Sequence, residues 1–351
     1  MQSQSPTAGR RSELLSELFP EGIPSLWCPL LTHYDSKGQI SEARMIAHLR
    51  HLSPYIKGFL IPGSTGDGWE LRPQETERIL QIALNQASQL GFSLLIGVLK
   101  PDIQSMLSSI EEILQLITTR SEEPDPLNAM KNARVCGFAV CPPAGKDVSQ
   151  DDMQFGLASI LELNSPTALY QLPQITKNEL SADTVKNLAD QFHNFILFKD
   201  SSGSDRVALA RQDLGGVFKV RGAETDYAKW LDGTLVGYDG FLLSTTNCFA
   251  RELTQMIEYN HSGSHDLANQ VSERISAVII EVFQVVSPLK AGNAFANANK
   301  AMDHLFAFGS KAIAVPPPRL HNGTTIPQEM IHRAAEVLAR HDLLPRDGYL
   351  G

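Results

Sequence analysis

Short apolar runs alternate with amphipathic helical stretches eight times over about 240 residues, and this rhythm limits the fold more than any other feature. The runs lie at 22–27, 58–62, 92–98, 135–141, 167–170, 194–199, 217–221 and 240–243. Helical spacing fills the intervals, at 41–52, 73–90, 103–117, 152–163, 181–192, a short stretch after 199, 227–235 and 248–259. Number, order and length predict an α/β fold, a (β/α)8 TIM barrel. An open doubly wound sheet is the competitor. It usually stops at five or six strands and wants a Gly-rich turn after the first strand, where this chain has Trp27-Cys28-Pro29-Leu30. Residues 264–342 carry three further helical patterns without strands, and Pro316-Pro317-Pro318 separates the last two. The expected organisation is therefore a disordered tail at 1–20, the catalytic barrel at 21–262 and a C-terminal helical extension at 263–351.

Composition removes several function classes. The 351 residues are 42% hydrophobic and 20% charged, enough for a large core. Net charge is −9 with Lys and Arg scattered, so no basic stripe for nucleic acid is present. No apolar run approaches a membrane span, and the polar segment 1–11 lacks the apolar centre of a secretion signal. Cys28, Cys136, Cys141 and Cys248 show no CxxC spacing and read as reduced residues of a cytoplasmic protein. The ten histidines are scattered, with no clustered metal-ligand pattern at the strand ends. His48 and His51 share a helix turn on an early helix and read as surface residues. Residues 121–132, with Glu-Glu-Pro-Asp-Pro, read as a charged surface excursion.

The sixth run ends at an unusual residue. Along Phe195-Ile196-Leu197-Phe198-Lys199, strand alternation puts Phe195, Leu197 and Lys199 on one face. Burying an ammonium is costly, so such a lysine is driven toward the neutral amine, a nucleophile for carbonyl carbon. The alternative is a lysine at the strand's exit, in water or paired with Asp200. Barrel enzymes build their sites at the C-terminal strand ends, and there the chain carries Ser64 and Thr65, Tyr170, Lys199, Gly222 and Glu224, and Ser244. That set suits imine formation with a 2-keto acid. Tyr170 would move protons if its surroundings brought its pKa toward working pH, and the Gly63-Ser64-Thr65-Gly66 loop would hold a carboxylate.

Four motifs in order carry a resemblance: Gly63-Ser64-Thr65-Gly66-Asp67, Tyr170-Gln171-Leu172-Pro173, Phe198-Lys199-Asp200-Ser201-Ser202-Gly203 and Gly240-Phe241-Leu242-Leu243-Ser244-Thr245-Thr246-Asn247. Together they resemble the dihydrodipicolinate synthase / N-acetylneuraminate lyase family of class I aldolases, from about Gly22 to Asn247 with the helical tail also of family type. The resemblance implies Lys199 as the Schiff-base lysine, Tyr170 as the proton-transfer residue, and Ser64 and Thr65 on the carboxylate. It implies Gly222, Glu224 and Ser244 in the substrate pocket, a homo-oligomer (tetramer or dimer), and no metal or other cofactor. Departures narrow the activity. Pro142-Pro143-Ala144 stands where the synthases carry Pro-Tyr-Tyr, and Ile175 where they carry an arginine; both argue against dihydrodipicolinate synthase proper. Glu224-Thr225 replaces the Asp-Glu pair of the sialic acid lyases, and Asp67 a usual glutamate. The expected function is a lyase acting through Lys199 on a small-molecule 2-keto acid, such as a 2-keto-3-deoxy sugar acid or related hydroxy-keto acid. A dehydratase using the same imine and a non-catalytic keto-acid binder on the same scaffold are the alternatives.

Overall fold

The structure, a computed structural model, describes residues 5–231 and 237–350. Eight parallel strands close into a barrel in sequence order: β1 Leu26–Pro29, β2 Gly58–Leu60, β3 Ser93–Val98, β4 Val135–Val140, β5 Thr167–Gln171, β6 Phe195–Asp200, β7 Phe218–Arg221 and β8 Gly240–Leu242. Helices join successive strands, so the expected (β/α)8 barrel is the observed fold. The first strand begins later than expected, and Cys28-Pro29 belongs to it rather than to a turn. The helix expected at 227–235 is described over Tyr227–Leu231; Asp232, Gly233, Thr234 and Leu235 lie outside the described residues.

Chain contacts divide the molecule into two compact units. One comprises Met1–Ser25, Ser93–Ala223 and Trp230–Leu242, and holds the ladder from β3 to β8. The other comprises Leu26–Phe92, Glu224–Lys229 and Leu243–Gly351, with β1 paired to β2 and the C-terminal helices His265–Val286, Ala294–Phe308 and Gln328–Arg340. Those three helices match the three patterns read at 264–342.

Local signals set the helix ends. Pro73–Leu90 starts with proline, is capped by Glu75, whose carboxylate accepts from the Arg72 N–H at 2.8 Å and from the Arg72 guanidinium at 2.6 Å, and stops at Gly91 in the left-handed region (φ 68°). Ala182–Gln191 is capped by Ser181, whose Oγ accepts from the Thr184 N–H at 3.0 Å. The excursion at 121–132 is not wholly a surface loop. Asp125 accepts from the Asn128 N–H at 2.8 Å and Pro126 follows, a helix start, and the short helix Pro126–Asn132 buries Ala129 and Met130.

The N-terminal segment overturns the expected disordered tail. Pro6–Leu18 is a helix, and Arg11 is 1% exposed. Its guanidinium donates to the carbonyls of Phe195 (2.8 Å), Phe192 (2.8 Å), Leu214 (3.1 Å), Gly215 (2.5 Å) and Ala189. One arginine thereby ties the end of Ala182–Gln191 to the start of β6 and to the turn before β7. Arg11→Ala is expected to lower stability in urea by about 3 kcal/mol, since several buried acceptors lose their donor. A loss under about 0.5 kcal/mol, the range of an ordinary surface substitution, would show the tail to be a loose appendage.

Candidate active site

In the first unit, parallel pairing sets Tyr170 of β5 beside Lys199 of β6, and Lys199 beside Val220 of β7. Lys199 is 4% exposed and Tyr170 3%. The Lys199 Nζ lies 3.8 Å from the centre of the Tyr170 ring, so amine and phenol share one face at adjacent strand ends. The environment does not bring the Tyr170 pKa toward neutrality. Burial pushes the phenol well above its usual range, the nearby Cys141 thiol adds to this, and a hydrogen bond with Ser201 opposes it. In the resting protein Tyr170 is therefore a protonated phenol, a donor.

Gly222 completes this cluster. Its N–H donates to the Asp200 carbonyl at 2.6 Å. A Cβ at 222 would stand 2.1 Å from Ser201 Oγ and 2.8 Å from Lys199 Cε, so only glycine admits the lysine stem in this position. With Lys199 as the reacting amine, the role the resemblance implies, Gly222→Ala is expected to cut kcat/KM roughly 100-fold, because a displacement near 1 Å at a reacting group has that effect. Unchanged kinetics would mean that Lys199 reaches its substrate from another rotamer.

Around the lysine's strand end runs a polar network that joins Asp200, Ser202 and Gln171 of the sequence motifs to Asp205, Arg221 and Tyr238, which no sequence pattern marked. Asp200 is fully buried and accepts from Ser202 N (2.9 Å), Ser202 Oγ (2.6 Å), Gln171 Nε2 (3.3 Å) and Tyr238 OH (3.3 Å). Burial raises its pKa, against the bonds from Ser202. Tyr238 also donates to Asp205 at 2.8 Å, and Arg221 holds Asp205 through Nε at 3.0 Å. The turn after β6 is thus tied to β5 and β7, which fixes the strand end that carries Lys199.

The second unit holds the other predicted residues in two groups. Ser64 and Thr65 form a buried 3₁₀ turn after β2. Glu224 and Ser244 are brought together. The Ser244 Oγ donates to Glu224 at 2.6 Å and accepts from Asn299 Nδ2 at 2.9 Å. Glu224 also receives the Thr245 N–H at 3.2 Å, the Tyr227 hydroxyl at 2.8 Å and the Thr245 hydroxyl. Four donors occupy the acceptor sites of one carboxylate, so a substrate hydroxyl must displace one of them to bond Glu224.

His48 corrects a second expectation: it is fully buried, not on the surface. Its Nδ1 lies 3.0 Å from His33 Nε2, and its Nε2 lies 2.9 Å from the Asn247 carbonyl and 3.3 Å from Asp303 Oδ1. His33, His48 and Asp303 are the one group among the described residues whose ligand atoms cluster as a metal site would require. The site does not suit a divalent ion. Arg44 occupies Asp303 Oδ2 at 2.6 Å and Tyr349 donates to Oδ1 at 2.8 Å, so a fixed cation already holds the carboxylate. Burial pulls both imidazoles below 6.5 against the raising effect of Asp303. The unfolded chain takes up these protons near 6.5 while the folded one resists, so stability rises with pH in that interval. The melting temperature should fall as pH drops from 7 to 5, more steeply in the native protein than in His48→Gln; equal slopes would exclude this cause.

A model of the dihydrodipicolinate synthetase family matches residues 129–303, which include Lys199, Tyr170, Gly222, Glu224 and Ser244. Over that stretch the chain is similar to the family. It is an enzyme of the aldolase/lyase type. It is 24% identical over 276 residues to a putative mitochondrial 4-hydroxy-2-oxoglutarate aldolase of Coccidioides immitis (strain RS), covering 77% of this chain and 80% of that protein. The structure of YagE from E. coli K12, a dihydrodipicolinic acid synthase family protein in complex with pyruvate, superposes with a TM-score of 0.69 at 18% identity, covering 91% and 98% of the two chains. A 2-keto-3-deoxygluconate aldolase variant from Sulfolobus solfataricus does so with a TM-score of 0.69 at 15% identity, covering 91% and 96%. At those identities the two structures establish the shared fold. No helix among the described residues is long and apolar enough to cross a membrane.

Proposed function

We propose that this enzyme cleaves a 4-hydroxy-2-keto acid into pyruvate and an aldehyde through an imine on Lys199. The observation that carries the reading is the buried Lys199 amine set 3.8 Å over the Tyr170 ring at two adjacent strand ends. The neutral amine attacks the C2 carbonyl, and the carbinolamine loses water to give a protonated imine. That cation draws the electron pair of the C3–C4 bond as the 4-hydroxyl gives up its proton, releasing the aldehyde and leaving an enamine. Protonation at C3 and hydrolysis then free pyruvate and the lysine. Tyr170, held protonated by its surroundings, gives its proton to the departing carbinolamine hydroxyl; the resulting phenolate, favoured by the positive imine beside it, takes the 4-hydroxyl proton and returns it to C3.

Ser64 and Thr65, at the C-terminal end of β2, supply hydroxyls to the keto-acid carboxylate. Gly222 leaves room for the imine, and the Glu224–Ser244 pair meets the 4-hydroxyl end of the substrate. Saturation of Glu224 by four donors favours a substrate with few hydroxyls over a polyol. The name of the C. immitis relative points the same way. A homo-oligomer, tetramer or dimer, goes with this reading and is measurable by sedimentation. The test of the reaction is release of pyruvate from 4-hydroxy-2-oxoglutarate and from 2-keto-3-deoxygluconate. Pyruvate with an aldehyde in equal amount supports it; a dehydrated keto acid without pyruvate would replace it with the hydro-lyase reading.

A further inference from the structure

The turn that carries Ser64 and Thr65 is held from outside by the helical extension. Within the turn, Gly66 N–H donates to the Gly63 carbonyl at 3.0 Å and Asp67 N–H to the Ser64 carbonyl at 3.3 Å. Asp67 closes it in the left-handed region (φ 61°), where a residue other than glycine needs support. That support comes from its side chain. Oδ2 receives the Lys300 Nζ at 2.6 Å and the Tyr34 hydroxyl at 2.9 Å, and Lys300 Nζ lies 4.9 Å from the centre of the Tyr34 ring. Lys300 projects from the helix Ala294–Phe308. Asn293, the cap of the same helix, donates to the Ser64 carbonyl at 2.9 Å, and Thr32 Oγ1 donates to the Gly66 carbonyl at 2.7 Å.

Asp67 and Lys300 are each 2% exposed. A buried ion pair adds little net stability over apolar residues of the same volume, because both charges must leave water. What such a pair does provide is a fixed geometry, since neither charge can move without losing its partner. Here the fixed geometry is that of the turn bearing two hydroxyls and their backbone.

We propose that Lys300, acting through Asp67, is a positioning residue that sets Ser64 and Thr65 for the substrate carboxylate, which makes the C-terminal extension part of keto-acid binding. This rests on the reading that Ser64 and Thr65 take that carboxylate. It predicts a change in KM rather than in the chemical step, because carboxylate binding is made equally in ground and transition states.

The experiment compares three proteins with the native one in pyruvate-release kinetics and thermal melting. Lys300→Met leaves a buried carboxylate unpaired and can fail to fold, so the deciding variant is Asp67→Asn/Lys300→Met, which removes both charges and keeps the volume. It should raise KM about 10- to 100-fold with kcat within about threefold, at a temperature well below its melting point. Lys300→Arg, which keeps the charge, should recover part of the lost affinity. A folded double variant with native KM overturns the clamp, however far its melting point falls. Ser64→Ala/Thr65→Val, with Asp67 and Lys300 intact, separates the two readings. If it raises KM and the double variant does not, the clamp is wrong and the carboxylate turn stands. If it leaves KM unchanged, the carboxylate assignment fails, and the clamp as proposed fails with it.

Discussion

Lys199→Ala should reduce turnover to the uncatalysed level, a loss of at least about 10⁵-fold, in a protein that still folds. The covalent route has no substitute if the amine is absent: no other group can form the electron-withdrawing imine at C2. Lys199→Arg should be equally inactive despite its cationic side chain, because a guanidinium is not a nucleophile toward ketones at neutral pH. The pair of variants separates covalent from electrostatic roles. A lysine that only attracted the carboxylate would leave Lys199→Arg with substantial activity and a changed KM. Folding should survive because Lys199→Ala removes a polar end from a 4% exposed position rather than creating a buried charge. The measurement is pyruvate release under single-turnover conditions, with circular dichroism on the same samples. Activity within tenfold of native in either variant would end the imine account.

Tyr170→Phe should lower kcat by about 10²- to 10⁴-fold while imine formation with pyruvate partly survives. The phenol's raised pKa makes it a proton donor in the resting state, so its loss should slow carbinolamine dehydration and the later protonation steps. It should not block nucleophilic attack. The ring stays under the Lys199 amine in the phenylalanine variant, so the packing that positions the amine is kept. Loss of the hydrogen bond with Ser201 should change stability by about 1 kcal/mol, far less than the kinetic effect. Stopped-flow trapping of the pyruvate imine, set against steady-state kcat, tests the split. Equal loss in both would confine the role of Tyr170 to imine formation and remove it from the later protonation steps.

The barrel was legible because a period-2 apolar run and a 3.6-period helix leave different marks, and eight pairs of them fit one closed sheet. Lys199 was legible for a related reason: a cation on the face of Phe195 and Leu197 breaks the alternation. Arg11 was not, because its five partners are backbone carbonyls, which every residue has and no sequence pattern marks. His48 carries a usable signal in its spacing. It lies on the helical face of Met45, Leu49 and Leu52, all buried, and that spacing already placed it inside. The Asp125-Pro126 pair likewise announced a helix start within a stretch read only as charged. The network of Asp205, Arg221 and Tyr238 joins residues 16 and 33 positions apart, and no local rule pairs them. Asp67 was legible as a supporting carboxylate, but its partner Lys300, 233 residues away, needed the fold.

The measurement that bears most directly on the central claim is borohydride reduction in the presence of pyruvate, followed by intact and peptide mass spectrometry. The imine account predicts one reduced pyruvyl adduct per chain, on the peptide that carries Lys199, and none on Lys199→Ala. A folded protein that gives no adduct with pyruvate or longer 2-keto acids, or gives it on another lysine, would contradict it.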